Sequence, residues 1–257
     1  MSVVPAIKVP PIAARPDATP LSLLADEAAP PTRQRRKEAR PQELLAAALE
    51  LFSEKGFAAT RSEEVAARAG VSKGTLYLYY PSKEVLFKAV VRESLSSHIA
   101  EGMQIVAQHQ GSMAELLGVV MQEWWRRVGQ GSAGGICKIM MAEARNFPDL
   151  ARFYFDEVIN PSQQLLAGLI ERGVASGEFR PVPVQEAVHV LIGPMLHLAL
   201  YEHSFGACKM LGPTISPPAV LAVQLDLMLR GMLSPAASQG ALAPAQVEDA
   251  SLRPPGK

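Results

Sequence analysis

Residues 60–83 read TRSEEVAARAGVSKGTLYLYYPSK, two short helical stretches divided by a glycine. Thr60 and Glu63 have the T-x-x-E spacing of a capping box, in which the hydroxyl and the carboxylate each accept a hydrogen bond from the other residue's backbone N–H. Val65, Ala66 and Ala69 make a narrow face of small apolar side chains, and Gly70 supplies the left-handed residue that ends the stretch. Val71 can plug the corner, Ser72 is a good N-cap, and Pro81 stops the second helix by disfavouring helical geometry in the residue before it. The pattern is a helix-turn-helix whose second helix has roughly two turns, long enough to lie in a major groove.

Projected at about 100° per residue, residues 72–80 place Leu76 and Tyr80 on one side and Gly74, Thr75 and Leu78 on the other. The first side is expected in the core. The second is an unusual solvent face: Gly74 holds nothing away, Thr75 donates and accepts, and Leu78 would stand bare unless a groove floor or a thymine methyl met it. Tyr77 and Tyr79 flank this face with hydroxyls suited to phosphates or base edges, and Lys73 and Lys83 would add phosphate contacts at its ends.

The run from Gly70 through Val71, Ser72, Lys73, Gly74, Thr75, Leu76, Tyr77, Leu78, Tyr79, Tyr80, Pro81, Ser82 and Lys83 to Glu84 resembles the signature of the TetR family of bacterial transcriptional regulators, GVSKGTLYxYFxSKExL. The departure is Tyr80, where phenylalanine is usual; the position stays aromatic. The resemblance implies that Thr60, Ser72, Lys73, Gly74, Thr75, Tyr77, Leu78, Tyr79 and Lys83 belong to a DNA-facing surface.

Upstream, Pro41 suits a first helical position, Leu45, Ala48, Leu49 and Phe52 recur at helical spacing, and Gly56 sits where a terminal glycine belongs. A three-helix unit over about 40–80 follows. Ahead of it Arg33, Arg35, Arg36, Lys37 and Arg40 form a basic arm, with Arg35 and Arg36 placed to follow a phosphate backbone or enter a minor groove. The formal net charge is zero, yet residues 33–92 hold twelve Lys or Arg against seven Asp or Glu, leaving 13 against 18 elsewhere. That asymmetry turns one end of the molecule toward a polyanion and the rest away from it.

Four regions are expected: a disordered Pro- and Ala-rich tail at 1–32, the helix-turn-helix domain with its arm at 33–81, a helical ligand-binding and dimerisation domain at 82–233 and a second disordered tail at 234–257. Helical periodicity places helices near 82–108, 112–129, 135–146, 148–176, 183–205 and 217–233, with Pro161 and Pro194 expected to kink or divide two of them. The fold class is therefore all-α. The apolar run at 187–200 is too short for a membrane span, and prolines interrupt the N-terminal run as no secretory leader would be, so a cytoplasmic protein without a membrane partner is expected. Cys137 and Cys208 have no metal or disulfide spacing; no metal and no cofactor are expected.

The last two helices are apolar around most of their circumference, so either they are central to the domain or they pack against a second subunit; a homodimer is favoured, with Leu191, Met195, Leu198, Val220, Val223 and Leu227 as interface residues. The family resemblance implies the same four-helix interface and a small-molecule effector among the helices of the second domain. Trp124, Trp125, Met140, Met141, Phe153, Phe155, Met195, His197 and Tyr201 are candidate lining residues, because Met and aromatic side chains make adaptable apolar cavities; taken singly, each reads better as ordinary core. The expected function is a repressor that binds a palindromic double-stranded DNA operator as a homodimer and is released by a small hydrophobic effector. The chain shows no H-E-x-x-H, G-x-S-x-G or phosphate loop, which argues against an enzyme. A helical carrier or interaction protein without DNA regulation is the alternative.

Overall fold

The computed structural model describes residues 33–206 and 216–237, with side chains from Arg40 onward. The tail at 1–32, residues 238–257 of the other tail, and the side chains of Arg35 and Arg36 lie outside the described residues. Among the described residues, 39–206 and 216–237 cluster as one compact unit. Eleven α-helices follow in order among the described residues: α1 Arg33–Lys55, α2 Ser62–Arg68, α3 Lys73–Tyr79, α4 Lys83–Val91, α5 Ser97–Gln108, α6 Met113–Trp124, α7 Ala133–Glu143, α8 Pro148–Tyr154, α9 Asn160–Ala175, α10 Val184–Glu202 and α11 Pro217–Met232. Three π turns, Arg92–Ser96, Trp125–Gly129 and Phe155–Ile159, join α4 to α5, extend α6 and join α8 to α9. The all-α expectation holds: the described residues contain no strand, only an isolated antiparallel bridge between Phe179 and Leu233.

Two expectations about proline are corrected. Pro41 lies inside α1, because Arg, Gln, Lys, Glu and Ala upstream are strong helix formers and carry the helix back to Arg33. The basic run is thus helical in backbone rather than an extended arm. Pro194 does not divide α10, which runs unbroken through it. Pro161 behaves as expected of a residue without an N–H: the ladder ahead of it loosens into the Phe155–Ile159 π turn, where Asn160 donates to the Phe155 carbonyl.

Local signals set the corner of the helix-turn-helix. Gly56 and Gly70 take φ values of 83° and 65°, the left-handed region that ends α1 and α2. Ser72 Oγ accepts from the Thr75 N–H at 3.1 Å and Ser82 Oγ from the Val85 N–H at 3.2 Å, capping α3 and α4. The capping of α2 differs from expectation: Arg61 is the N-cap residue, and its N–H donates to the Glu64 carboxylate at 3.2 Å. Thr60 is only 1% exposed, and its hydroxyl donates back to the carbonyls of Gly56 at 2.7 Å and Leu51 at 3.2 Å. It stitches the α1–α2 turn to the helix before it.

Lys83 is also turned inward. Its ammonium donates to the carbonyls of Phe57, Ala58 and Thr60 at 2.9, 3.1 and 3.1 Å and lies 4.5 Å from the centroid of the Phe57 ring. An ammonium has three N–H groups, and all three are engaged here. The expected phosphate contact is therefore replaced by a lock between the start of α4 and the α1–α2 turn.

Beneath that lock Phe57 packs on Phe52, Phe87 and Phe147, with ring centroids 5.7, 5.1 and 4.8 Å away. One apolar cluster runs from Leu44, Phe52, Val65 and Leu76 through Phe87 and Leu95 to Ile136, Met140, Leu150 and Val158, so the core of the helix-turn-helix continues into α7 and α8. A second cluster is built from α6, α9, α10 and α11 around Leu117, Met121, Leu169, Ile170 and Leu191. The α6 start is capped from afar: Glu178 accepts from the Ser112 hydroxyl at 2.5 Å and from the N–H groups of Met113 and Ala114 at 2.7 and 3.1 Å. Burial pushes the Glu178 carboxyl up, but these donors outweigh it and hold the group below its ordinary 4.5.

Replacing Lys83 by Met keeps the aliphatic stem and leaves three carbonyls without their donor. The expected loss is about 1–3 kcal/mol of stability in urea unfolding, with the salt dependence of DNA binding unchanged. Glu178 sets a pH window. Because its folded pKa is depressed, its contribution is complete above the unfolded value and is lost as pH falls through the folded one. Urea midpoints measured from about pH 6 down to about pH 3 should fall less steeply for Glu178→Gln than for the parent.

Candidate nucleic-acid interface

Helix α3 has two sharply different sides. Leu76 is completely buried against the first cluster, and Tyr80 and Tyr79 pack partly on it. On the other side Lys73, Gly74, Tyr77 and Leu78 are exposed, with Leu78 at 79%. Of the expected contact set the structure brings these four together. Ser72 lies at the same exposed edge but is committed as the cap, its Oγ also 2.9 Å from Thr75 Oγ1. Thr75 is half-buried and tied to Ser72, Tyr79 leans on the core, and Thr60 and Lys83 face inward, so these residues shape the helix more than they present it.

Lys73 is held in place without being consumed. Its ammonium meets the Glu63 carboxylate at 2.5 Å and lies 5.7 Å from the centroid of the Tyr77 ring. That hydrogen bond holds the Glu63 carboxyl below its ordinary range and raises the Lys73 ammonium above its own. Both groups are exposed, and such pairs contribute little, so a phosphate can take the ammonium at small cost. Arg61, exposed at the N-cap of α2, is a further cation on this edge that the T-x-x-E reading passed over. The R-x-x-E spacing of Arg61 and Glu64 was the available signal.

Gly74 is the most informative position. A Cβ built there meets only Ser72 Oγ, at 3.8 Å, which is ordinary contact. Nothing inside the molecule demands glycine at this point of a helix.

The expected lining residues of the second domain separate. Trp125 and Met195 are buried in the second cluster, Met140 is buried in the first, and Trp124 packs partly against both. Phe153 is half-buried, with Lys88 and Arg92 5.3 and 4.9 Å from its ring centroid, and Tyr201 is half-buried 6.0 Å from the Phe205 ring. Met141, Phe155 and His197 point outward, because the helical register turns them from both clusters, and they do not line an interior. Two clefts, of about 170 and 380 Å³, lie elsewhere: one between the end of α1 and α7, the other beside Gln110, Met113 and Arg172.

The expected interface residues are corrected on α10. Leu191, Met195 and Leu198 are buried within the chain itself. The outward stripe of that helix is Val190, Gly193, Pro194 and His197. On α11 Val220 is half-buried, whereas Val223 and Leu227 are 59% and 65% exposed. Among the described residues no helix is long and apolar enough to cross a membrane, and no three His, Cys, Asp or Glu side chains group to hold a metal ion.

Comparison with known proteins agrees with this geometry. Residues 44–90 match the profile of bacterial regulatory proteins of the tetR family, and residues 107–205 match that of the tetracyclin repressor-like C-terminal domain. The HTH-type transcriptional repressor KstR2 of Mycolicibacterium smegmatis is 31% identical over 55% of this chain and 68% of its own. The HTH-type transcriptional regulator RutR of Escherichia coli is 31% identical over 65% of this chain and 77% of its own. The crystal structure of the transcriptional regulator FadR from Bacillus subtilis in complex with stearoyl-CoA superposes with a TM-score of 0.62 at 20% identity, covering 74% of this chain and 98% of that one. With both of its helical regions matched and relatives aligned over most of their length, the chain belongs to the TetR family of bacterial transcriptional regulators.

Proposed function

We propose that the protein is a homodimeric repressor that grips a palindromic operator through α3 and is released when a small effector binds in the second domain. The observation that carries this reading is the face of α3: a bare leucine and an unneeded glycine, beside a lysine and a tyrosine, on a helix held to the core from its other side by the fully buried Leu76. Leu78 is the most exposed large apolar side chain among the described residues, and it stands on one face with Lys73, Gly74 and Tyr77 rather than singly. The floor of a major groove covers that face, with Leu78 against a thymine methyl, Lys73 and Arg61 on phosphates, and Gly74 permitting close approach.

A dimer supplies the second half-site. The outward stripe of α10 carries Val190 and the Gly193–Pro194 step beside His197, that of α11 carries Val223 and Leu227, and the two helices pack on one another. Joined about a two-fold axis they bury that surface, and the two copies of α3 must then stand about 34–36 Å apart to enter successive major grooves. The relatives support regulation by a ligand: one is named a repressor, and another was crystallised with an acyl-CoA. An effector that favours a different packing of the second domain shifts the population away from the DNA-competent spacing. Work on an operator places this protein with the chromosome, in the cytoplasm.

Selection of DNA sites from a random pool by the purified protein tests the proposal. A short palindrome is the expected result; a folded dimer that enriches nothing favours the carrier reading. With that operator in hand, Gly74→Ala should leave thermal stability equal or higher, because alanine is the better helix former, while weakening binding by about tenfold or more through a clash in the groove. Leu78→Ala should alter base preference more than the salt slope. Leu227→Asp should give a folded monomer in sedimentation, with half-site affinity only.

A further inference from the structure

We infer that the effector is an uncharged, largely apolar molecule that presents an oxygen acceptor to the indole N–H of Trp125; this rests on the effector reading above. Trp125 is 5% exposed, and its Nε1 has no hydrogen-bond partner. Gln224, 8% exposed, donates through Nε2 to the Leu191 carbonyl at 2.7 Å, and its Oε1 likewise lacks a partner. Trp125 belongs to the second cluster with Leu117, Met121, Leu191 and Met195, and Gln224 is tied to that cluster through the Leu191 carbonyl. Buried polar atoms are nearly always paired, and an orphan donor in an apolar interior destabilises the fold. Phenylalanine would fill the same place without that cost. A donor kept unpaired there is explained by a molecule that accepts from it.

The ring is seated deliberately. Trp125 opens the π turn Trp125–Gly129, and a Cβ at Gly129 would collide with its indole. The glycine therefore makes the space in which the ring lies, and the Gly129 carbonyl accepts from His203 Nε2 at 3.2 Å, beyond the end of α10. The chemistry of the neighbours then selects the ligand. Among the described residues the buried polar side chains are Thr60, Ser62 and Gln224, and no Lys, Arg or His is buried in the second cluster. A carboxylate or phosphate in this interior would meet no fully buried cation, since the half-buried Arg172 beside Met113 is committed to the Val106 and His109 carbonyls, and burial of an unpaired charge is prohibitive. A ketone or a hydroxyl suits an indole N–H, and a molecule with a hydroxyl farther along could also donate to Gln224 Oε1. Met113, Met121 and Met195, unbranched and easily rotated, are the side chains that give way to it.

The test uses the full chain and calorimetric titration with 2-decanone, decane and decanoate as probes. Parent protein should bind the ketone at least about tenfold more tightly than decanoate, and Trp125→Phe should weaken the ketone by about tenfold while leaving decane unchanged. Replacing tryptophan biosynthetically with 3-benzothienylalanine removes the N–H but keeps the bicyclic shape, so it should reproduce the loss even if Trp125→Phe folds poorly. Preference for decanoate, unchanged ketone affinity in both altered proteins, or no binding of any probe would overturn the inference; an indole satisfied by a fixed water gives the second of these. Ketone binding as stated without release of the selected operator would instead count against the effector reading, leaving the Trp125 site in place.

Discussion

The position of the recognition helix depends on one aromatic ring. Phe57 lies in the short connection between α1 and α2, and it is gripped by Phe52 from α1, Phe87 from α4 and Phe147 from the segment before α8, with the Lys83 ammonium beside it. Three separate parts of the chain thus converge on a residue a few positions ahead of the helix-turn-helix. Packed interiors do not deform smoothly; they exchange one close-packed arrangement for another. Phe147 ties the segment before α8 directly to the connection that leads into α2.

The same lock explains why the residues around it were the hardest to read from the sequence. Gly56, Gly70, Ser72 and Ser82 were legible because their roles depend on φ or on a donor three residues away. Thr60 and Lys83 were not. Thr60 has the spacing of a capping box, yet its hydroxyl is claimed by Leu51 and Gly56, and Lys83 reaches carbonyls 23 to 26 residues back. Side chains whose partners are set by the fold look, in a linear pattern, like free polar groups near DNA. Helix positions in the second domain were recovered closely for the opposite reason, since they follow from periodicity and from glycine or proline breaks.

Face assignment on α10 failed for a physical reason as well. Between Val188 and Leu200 only His189 and His197 are polar, so hydrophobicity does not distinguish an inward from an outward stripe. Leu191, Met195 and Leu198 fill the chain's own core, while Val190 and the Gly193–Pro194 step lie outside. The outer side carries the exposed His189 and His197 as well as the apolar Val190, so two polar positions alone mark it in the sequence. Gly193, with nothing within 4 Å of a would-be Cβ, leaves the outer side flat enough for another helix to approach closely.

The tandem Trp124 and Trp125 connects these halves. Trp125 is buried in the second cluster, whereas Trp124 packs partly against both clusters and so borders the one that contains Phe57. The π turn that begins at Trp125 has a looser ladder than the α-helix before it, with Gln130 donating to the Trp125 carbonyl. The Trp125 indole therefore sits where the helix is less tightly wound, and the adjacent Trp124 touches the other cluster. Moving a two-state protein from 1:99 to 99:1 takes about 5.5 kcal/mol of differential affinity. A hydrogen bond to a previously orphaned donor contributes about 1–3 kcal/mol of that, and each buried methylene adds about 0.8 kcal/mol. A ten-carbon chain with a single oxygen acceptor is therefore large enough to drive the switch, with no charged contact required.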